Sequence, residues 1–422
     1  MNTHHKRISS SHLELMEKKK SVVAATIKKS FECVCKSWYL LSENHHFMNM
    51  FHKDLVSNSH RCSYYDGASI LLYSIEHYKD VLYSLFGERF LNKIKLDFSN
   101  LFEEDIYNHI DILGFGSING TLCLHQYETD NYGKTDNYGK TVLWNPTTQT
   151  IKHLPPSMDE SIVTREDEDG FFDISVKARL HGFGYNHVTN DYNVIRHVKV
   201  FIKPNSSTDY GGNFKEIVSY RFGDINSPKW EIYSLISNSW RELDAVMPYS
   251  MECKKGTQVY MDGVCHWLCK QYKKYRHNKN YRPVGPCLVS FYLSNEASFT
   301  TPIPPEVDDC FDDSAKWINL VVLNGSIALI TYHKEMTTFR VSILGQLGFK
   351  ESWIKLFMVG PLPYVERPIG VGTKGKIFFI IKDKEVAWFD LSIHMIEELG
   401  YRAETIRCRI INCKESILPF EE

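Results

Sequence analysis

The 422-residue sequence contains no run of about 18 apolar residues, so no membrane-spanning helix and no membrane partner are expected. Met1 to Arg7 are polar and no apolar core of about 7–15 residues follows them, so no secretory signal is expected. An excess of one charge is also missing: 49 Lys and Arg stand against 51 Asp and Glu, for a net charge of −2. Nucleic-acid binding needs a concentrated basic excess, and none is expected here. A disulfide framework is missing too. The 11 cysteines are an odd number, spread from Cys33 to Cys413 without a repeating spacing, and Cys123 and Cys265 sit inside apolar strand-like runs. Buried, reduced thiols of a cytoplasmic or nuclear protein fit that pattern.

Motifs for bond chemistry are equally scarce. GxSxG, HExxH and the P-loop are absent, and nothing singles out two of the scattered carboxylates. The run Gly370-Val-Gly-Thr-Lys-Gly375 matches GxGxxG, but a β-type run, Lys376–Ile381, follows where phosphate binding needs a helix N-terminus. Cys265, His266 and Cys269 lack a second ligand pair at a zinc-site spacing. In a strand the cysteines point one way and the histidine the other, so they read as core residues. No enzyme, metal or cofactor is expected.

Aromatic residues, in contrast, are abundant: 24 Tyr, 24 Phe and 8 Trp favour half-buried pleated surfaces. From about residue 112 a theme recurs, in which a turn ending in glycine is followed at once by an apolar strand. Asn119-Gly120 precedes Thr121–Leu124, Asp262-Gly263 precedes Val264–Leu268, Asn324-Gly325 precedes Ser326–Ile330, and Lys374-Gly375 precedes Lys376–Ile381. Asn-Gly and Asp-Gly are strong hairpin signals because both central positions of the favoured tight turn need a positive φ. Second hairpins follow at Val142–Trp144 with Ile151–Leu154, at Ile232–Leu235 with Trp240–Leu243, and at Val386–Leu391 with Met395–Leu399. Another turns at Val188–Asp191 and returns with Val194, Val198, Val200 and Ile202 on one face. Glycine pairs Gly114/Gly116 and Gly182/Gly184 read as close strand approach or bulges.

Turns near residues 119, 189, 262, 324 and 374 mark a degenerate repeat of several strands, the pattern of propeller or kelch-type blades; a large β-sandwich is the runner-up. A sixth unit is expected from residues 60–110. Two insertions decorate the frame. Thr129–Lys134 is duplicated as Thr135–Lys140 and reads as a lengthened, exposed hairpin loop. Lys270–Pro286 reads as a basic, aromatic loop in which Tyr272, Tyr275, Arg276 and Tyr281 are candidates for contact with an acidic partner.

Upstream, residues 1–30 read as a polar tail. Phe31, Val34, Cys35, Trp38 and Leu41, then Phe47, Phe51 and Leu55, recur at spacings of three and four, which predicts helices over 31–56. The run Phe31-Glu-Cys-Val-Cys-Lys-Ser-Trp-Tyr-Leu-Leu41 resembles the second half of an F-box. Downstream, Gly116-Ser-Ile-Asn-Gly-Thr-Leu-Cys-Leu124, Leu143-Trp-Asn-Pro-Thr-Thr148, Gly182-Phe-Gly-Tyr185, Ile232-Tyr-Ser-Leu235 and Asp262-Gly-Val-Cys-His-Trp267 resemble, in order, the plant F-box-associated interaction domain. The Leu-Pro pairs and first helix of an F-box have no counterpart before Phe31.

The resemblance implies a mostly β, propeller-like F-box-associated domain over 60–400, a closing strand and tail over 401–422, and a short, truncated helical F-box remnant over 31–56. It implies a non-catalytic substrate receptor of a Skp1–cullin–F-box ubiquitin ligase. A Skp1-like adaptor would bind Phe31, Val34, Cys35, Trp38 and Leu41, and the propeller-like domain would hold the target protein. The alternative is a stand-alone protein- or glycan-binding module uncoupled from a ligase.

Overall fold

The computed structural model describes residues 69–416 apart from 78, 87–89, 91, 98–100, 103–108, 130–134, 158–171, 205–228, 245–246, 248–252, 275–280, 305–315, 324, 350–351, 373–374, 392–394, 404–407 and 415. The expected helices over 31–56, with all five adaptor-binding candidates, lie outside the described residues. All the described residues belong to one compact unit, 62–422.

Six four-stranded antiparallel sheets account for the strands among the described residues. The first contains β1 (Ser69–Glu76), β2 (Lys79–Phe86) and β3 (Asn92–Leu96). The second contains β4 (His109–Ile118), β5 (Thr121–Thr129), β6 (Thr135–Asn145) and β7 (Thr150–His153). The third contains β8 (Phe172–Asn186), β9 (Asp191–Pro204), β10 (Lys229–Ser234) and β11 (Ser239–Glu242). In the fourth are β12 (Cys253–Met261), β13 (Val264–Lys274), β14 (Tyr281–Tyr292) and β15 (Ser298–Pro302). In the fifth are β16 (Lys316–Leu323), β17 (Ser326–His333), β18 (Thr338–Leu344) and β19 (Trp353–Val359). The sixth has β20 (Val365–Val371), β21 (Lys376–Ile381), β22 (Glu385–Asp390) and β23 (Met395–Arg402). Within each of sheets two to six, strands lie side by side in chain order. The first sheet is completed by the last strand, β24 (Arg409–Cys413), which pairs with β1 from Ser69↔Cys413 to Tyr73↔Arg409.

Composition explains which strand goes where. Middle strands are covered on both faces by neighbouring sheets, so they read as near-continuous apolar runs rather than alternating ones. Lys376-Ile-Phe-Phe-Ile-Ile381 is buried at its four central residues, and Ser326–His333 at all but the first. Outer strands read differently: β3 carries Lys93 and Lys95, β11 carries Arg241 and Glu242, and β23 carries Glu397 and Glu398. Charged, short outer edges discourage pairing with another chain.

The turn chemistry follows the sequence. Asn119-Gly120 and Asp262-Gly263 have φ values of 49° and 85°, and of 49° and 80°, as a primed two-residue hairpin requires. All five recurring turns join the first and second strands of sheets two to six. The inner strands bulge where they crowd together: register shifts occur between Leu113 and Ile118, between Leu180 and Gly182, and between Pro368 and Gly370. A Cβ on Gly116 would sit 2.3 Å from the Asn412 carbonyl oxygen, so only glycine fits there.

The sheets contact one another in a closed cycle. The Tyr192 hydroxyl donates to the Ile118 carbonyl, joining the second and third sheets, and the Tyr260 hydroxyl donates to the Tyr185 carbonyl, joining the third and fourth. Trp353 Nε1 donates to Pro302, joining the fourth and fifth, and the Tyr332 hydroxyl donates to Val365, joining the fifth and sixth. Tyr401 of the sixth sheet donates to Glu76 of the first. β24 seals the circle. Arg409 donates to the Ile112 and Gly114 carbonyls at 2.8 and 2.7 Å, and Asn412 donates to Phe115 at 3.4 Å and Val371 at 3.0 Å. A single parallel bridge, Asn412 to Gly116, links the first and second sheets edge to edge.

Two expectations change. The duplicated Thr135–Lys140 forms the start of β6 instead of a loop; backbone pairing from Thr129↔Thr135 to Gln126↔Lys140 lengthens the hairpin itself. Likewise Lys270–Pro286 is mostly hairpin, paired from Lys270↔Pro286 to Lys274↔Tyr281 around a bulge at Gln271/Tyr272.

Candidate protein-binding face

First-to-second-strand turns all emerge on one side of the ring, so second-to-third-strand hairpins and the starts of the first strands emerge on the other. Two ribbons on that second side outgrow their sheets. In the third sheet, β10 pairs with β9 only as far as Lys229↔Val198, whereas β8 and β9 stay paired out to Phe172↔Pro204. In the fourth, β15 begins opposite Cys287, whereas β13 and β14 stay paired out to Lys274↔Tyr281. The neighbouring sheets place these ribbons next to each other.

Tyr272 and Tyr281 therefore lie at register positions in the second ribbon, opposite Pro283 and Lys274. Tyr275 and Arg276 lie outside the described residues. From Val264 to Tyr292 the hairpin sequence carries Lys270, Lys273, Lys274, Arg276, Lys279 and Arg282 and no Asp or Glu. A chain of net charge −2 has thus gathered six cations in one hairpin.

Beneath the ribbons, the seam between the third and fourth sheets is aromatic. The rings of Trp230 and Trp267 stack with centroids 5.9 Å apart, and His181 lies 4.7 Å from Trp230 and 5.7 Å from Trp267. His181 is the extra residue of the β8 bulge, fully buried, with both ring nitrogens unpartnered. His197 joins the cluster 5.0 Å from Trp230. Burial, then the charges of Lys199 and Arg179, pushes His197 down to about 4. Burial, then His197 and Arg179, holds His181 well below the usual imidazole range. Both imidazoles are neutral at pH 7, and the field above them is positive.

That field comes from a ladder on one face of the first ribbon. Arg179 pairs across the strands with His197, and Lys177 pairs with Lys199. Both ammonium groups lie over the Phe201 ring, at 5.4 and 4.7 Å from its centroid. Both lysines are half-buried, and neither has a carboxylate at ion-pair distance among the described residues. The alternation that puts Val198, Val200 and Ile202 on one face of β9 puts Lys199 and Phe201 on the other. That signal was present in the sequence but hidden in an apolar stretch.

The opposite face of β9 is neutralised internally. Arg196 Nε binds Glu231 at 2.8 Å with both side chains buried, and its guanidinium lies 3.7 Å from the Trp240 ring centroid. The cysteines behave as core residues: Cys265 and Cys269 are buried, and the Cys269 and Cys287 sulfurs lie 3.7 Å apart as free thiols. Burial pushes the Cys265 thiol up. His266 points away from them, against Ser290 at 2.8 Å, and burial lowers it to about 3. Among the described residues no group of three His, Cys, Asp or Glu could hold a metal ion. At the junction of β4, β8 and β12, a cavity of about 10 Å³ lined by Gly114, Phe183, Gln258 and Tyr260 has room for about one water. Recognition is therefore better served by the projecting rim than by that cavity.

Six radially arranged four-stranded sheets closed by the final strand define a β-propeller. The sequence profile of the F-box associated beta propeller domain matches residues 96–414, and the chain belongs to that family. Two curated relatives come from Arabidopsis thaliana. F-box protein CPR1 is 24% identical over 71% of this chain and 68% of its own length. F-box protein At4g22390 is 22% identical over 76% of this chain and 73% of its own. Among solved structures, a DUF4784 family protein from Bacteroides caccae aligns over 82% of this chain and 74% of its own at 10% identity, with a TM-score of 0.37, too slight a likeness to bear on function.

Proposed function

We propose that the protein is the substrate-recognition subunit of a Skp1–cullin–F-box ubiquitin ligase, working in the cytoplasm or nucleus. The observation that carries this reading is the F-box-like run Phe31–Leu41 upstream of an F-box associated propeller in the same chain. Phe31, Val34, Cys35, Trp38 and Leu41 dock a Skp1-like adaptor as one apolar stripe, and the propeller rim holds the target. The protein breaks no bond and needs no cofactor. Its contribution is proximity: a target lysine held beside the ubiquitin-charged enzyme reacts at a high effective concentration. Rigid sheets carrying projecting hairpins suit that task.

Co-expression of the full chain with a Skp1-type adaptor, followed by size-exclusion chromatography, tests the reading. A stable complex is expected. Trp38→Ala should weaken it at least tenfold, because a few buried aromatic anchors dominate such interfaces. A folded chain that forms no complex at micromolar concentration would favour the uncoupled binding module, a reading supported by the missing Leu-Pro pairs before Phe31.

A further inference from the structure

Taking the propeller as the receptor proposed above, we propose that the two overgrown ribbons of the third and fourth sheets form a cationic cradle for an acidic, Asp/Glu-rich segment of the target protein.

The central observation is the Lys177–Lys199 pair. Like charges directly opposite each other on one face of an antiparallel pair destabilise a sheet. Here two ammonium groups converge on a single ring, Phe201, while Arg179 lies one rung below. The native fold maintains this repulsion without a carboxylate between the lysines among the described residues. An incoming anion would relieve it. Phe201 spaces the two charges and gives the cradle an apolar floor on which the methylene groups of glutamate side chains can rest.

The second ribbon extends the same chemistry. Its six cations and complete lack of carboxylates between Val264 and Tyr292 continue the positive surface across the seam. Beneath the first ribbon the field is strong enough to help hold His197 in its neutral form. A short carboxylate-rich stretch matches a surface that offers several point charges along two ribbons, since lysines bind anions as separate charges and not through a bidentate fork. Opposite charge also speeds encounter with the partner.

Fluorescence anisotropy on the full-length chain, with labelled octaglutamate and octaglutamine peptides at 50 and 200 mM salt, tests this. Octaglutamate should bind, weaken as salt rises, and lose about tenfold in affinity in the double variant Lys177→Gln/Lys199→Gln. Lys93→Gln removes a lysine that lies over Tyr83 and Tyr401 on the first sheet, and should change nothing. The double variant relieves repulsion, so its thermal midpoint should hold or rise, which separates lost binding from lost fold. Equal binding of the two peptides, or undiminished octaglutamate binding by the double variant, overturns the cradle. Tighter binding of an octauridine RNA than of octaglutamate overturns its assignment to a polypeptide. A chain that forms the adaptor complex but ignores octaglutamate sinks the cradle alone, whereas one that binds octaglutamate without the adaptor sinks the ligase reading alone.

Discussion

The two seams that flank β4 and β8 solve the same packing problem with opposite chemistry. Where β24 meets β4 and β20, side-chain amide and guanidinium groups reach into backbone carbonyls: Arg409 takes two, and Asn412 takes two more. Where the third sheet meets the fourth, rings replace hydrogen bonds, and His181 is buried with no polar partner. The closing seam must select one strand from the far end of the chain, and directional bonds provide that selectivity. Sheets adjacent in sequence need no such selection, so shape and apolar area suffice between them.

Breaking the polar seam should have the largest effect. Arg409→Met with Asn412→Leu removes four donors and leaves four carbonyls unsatisfied, for a loss on the order of 4–8 kcal/mol. Urea unfolding should show it as a lost or strongly shifted cooperative transition. The aromatic seam should break less completely: Trp267→Ala, a fully buried ring, should cost about 3–5 kcal/mol in the same assay while leaving the transition cooperative.

Acid should sharpen the contrast further. His181, His197 and His266 are buried and neutral, with folded-state pKa values depressed below the imidazole norm. The unfolded chain therefore binds protons that the folded chain refuses. Stability is full above pH 6.5 and falls as the pH drops toward the folded values, about 4 for His197 and about 3 for His266. Urea midpoints measured between pH 7 and pH 4.5 should decline, and His181→Phe should flatten part of that slope without lowering stability at pH 7. A flat profile in the unsubstituted protein would contradict this account of the aromatic seam. The smallest effect is expected at the rim between the same two sheets, where Arg241 pairs with Glu296 in a partly exposed setting. Arg241→Ala should shift the thermal midpoint by less than about 1 kcal/mol equivalent.

Legibility in the sequence tracked burial and backbone demand. The turns at Asn119-Gly120 and Asp262-Gly263 were readable because few residue types accept their positive φ values. The buried strands around Trp144, Trp267 and Phe378 were readable because both faces are apolar. Lys270–Pro286 looked like a loop because ribbons that outgrow their sheet bury little, so no hydrophobic period marks them, and Pro283 and Pro286 suggest interruption. Lys199 and Phe201 were hidden for a related reason, since they share β9 with valines and their meaning depends on Lys177 directly across. Pairing partners far apart in sequence leave no local trace, and nothing within Arg409–Cys413 points to β1.

The position of β24 also has a consequence for synthesis. Ser69 and Cys413 are hydrogen-bonded neighbours separated by 344 positions, so the circle stays open until nearly the whole chain has left the ribosome. Until then the nascent molecule displays Ile70, Leu71 and Leu72 along an unpaired edge, a surface that chaperones hold and proteases attack. A premature stop codon anywhere before Arg409 would leave that edge open permanently, so late nonsense alleles should behave as complete losses of the protein.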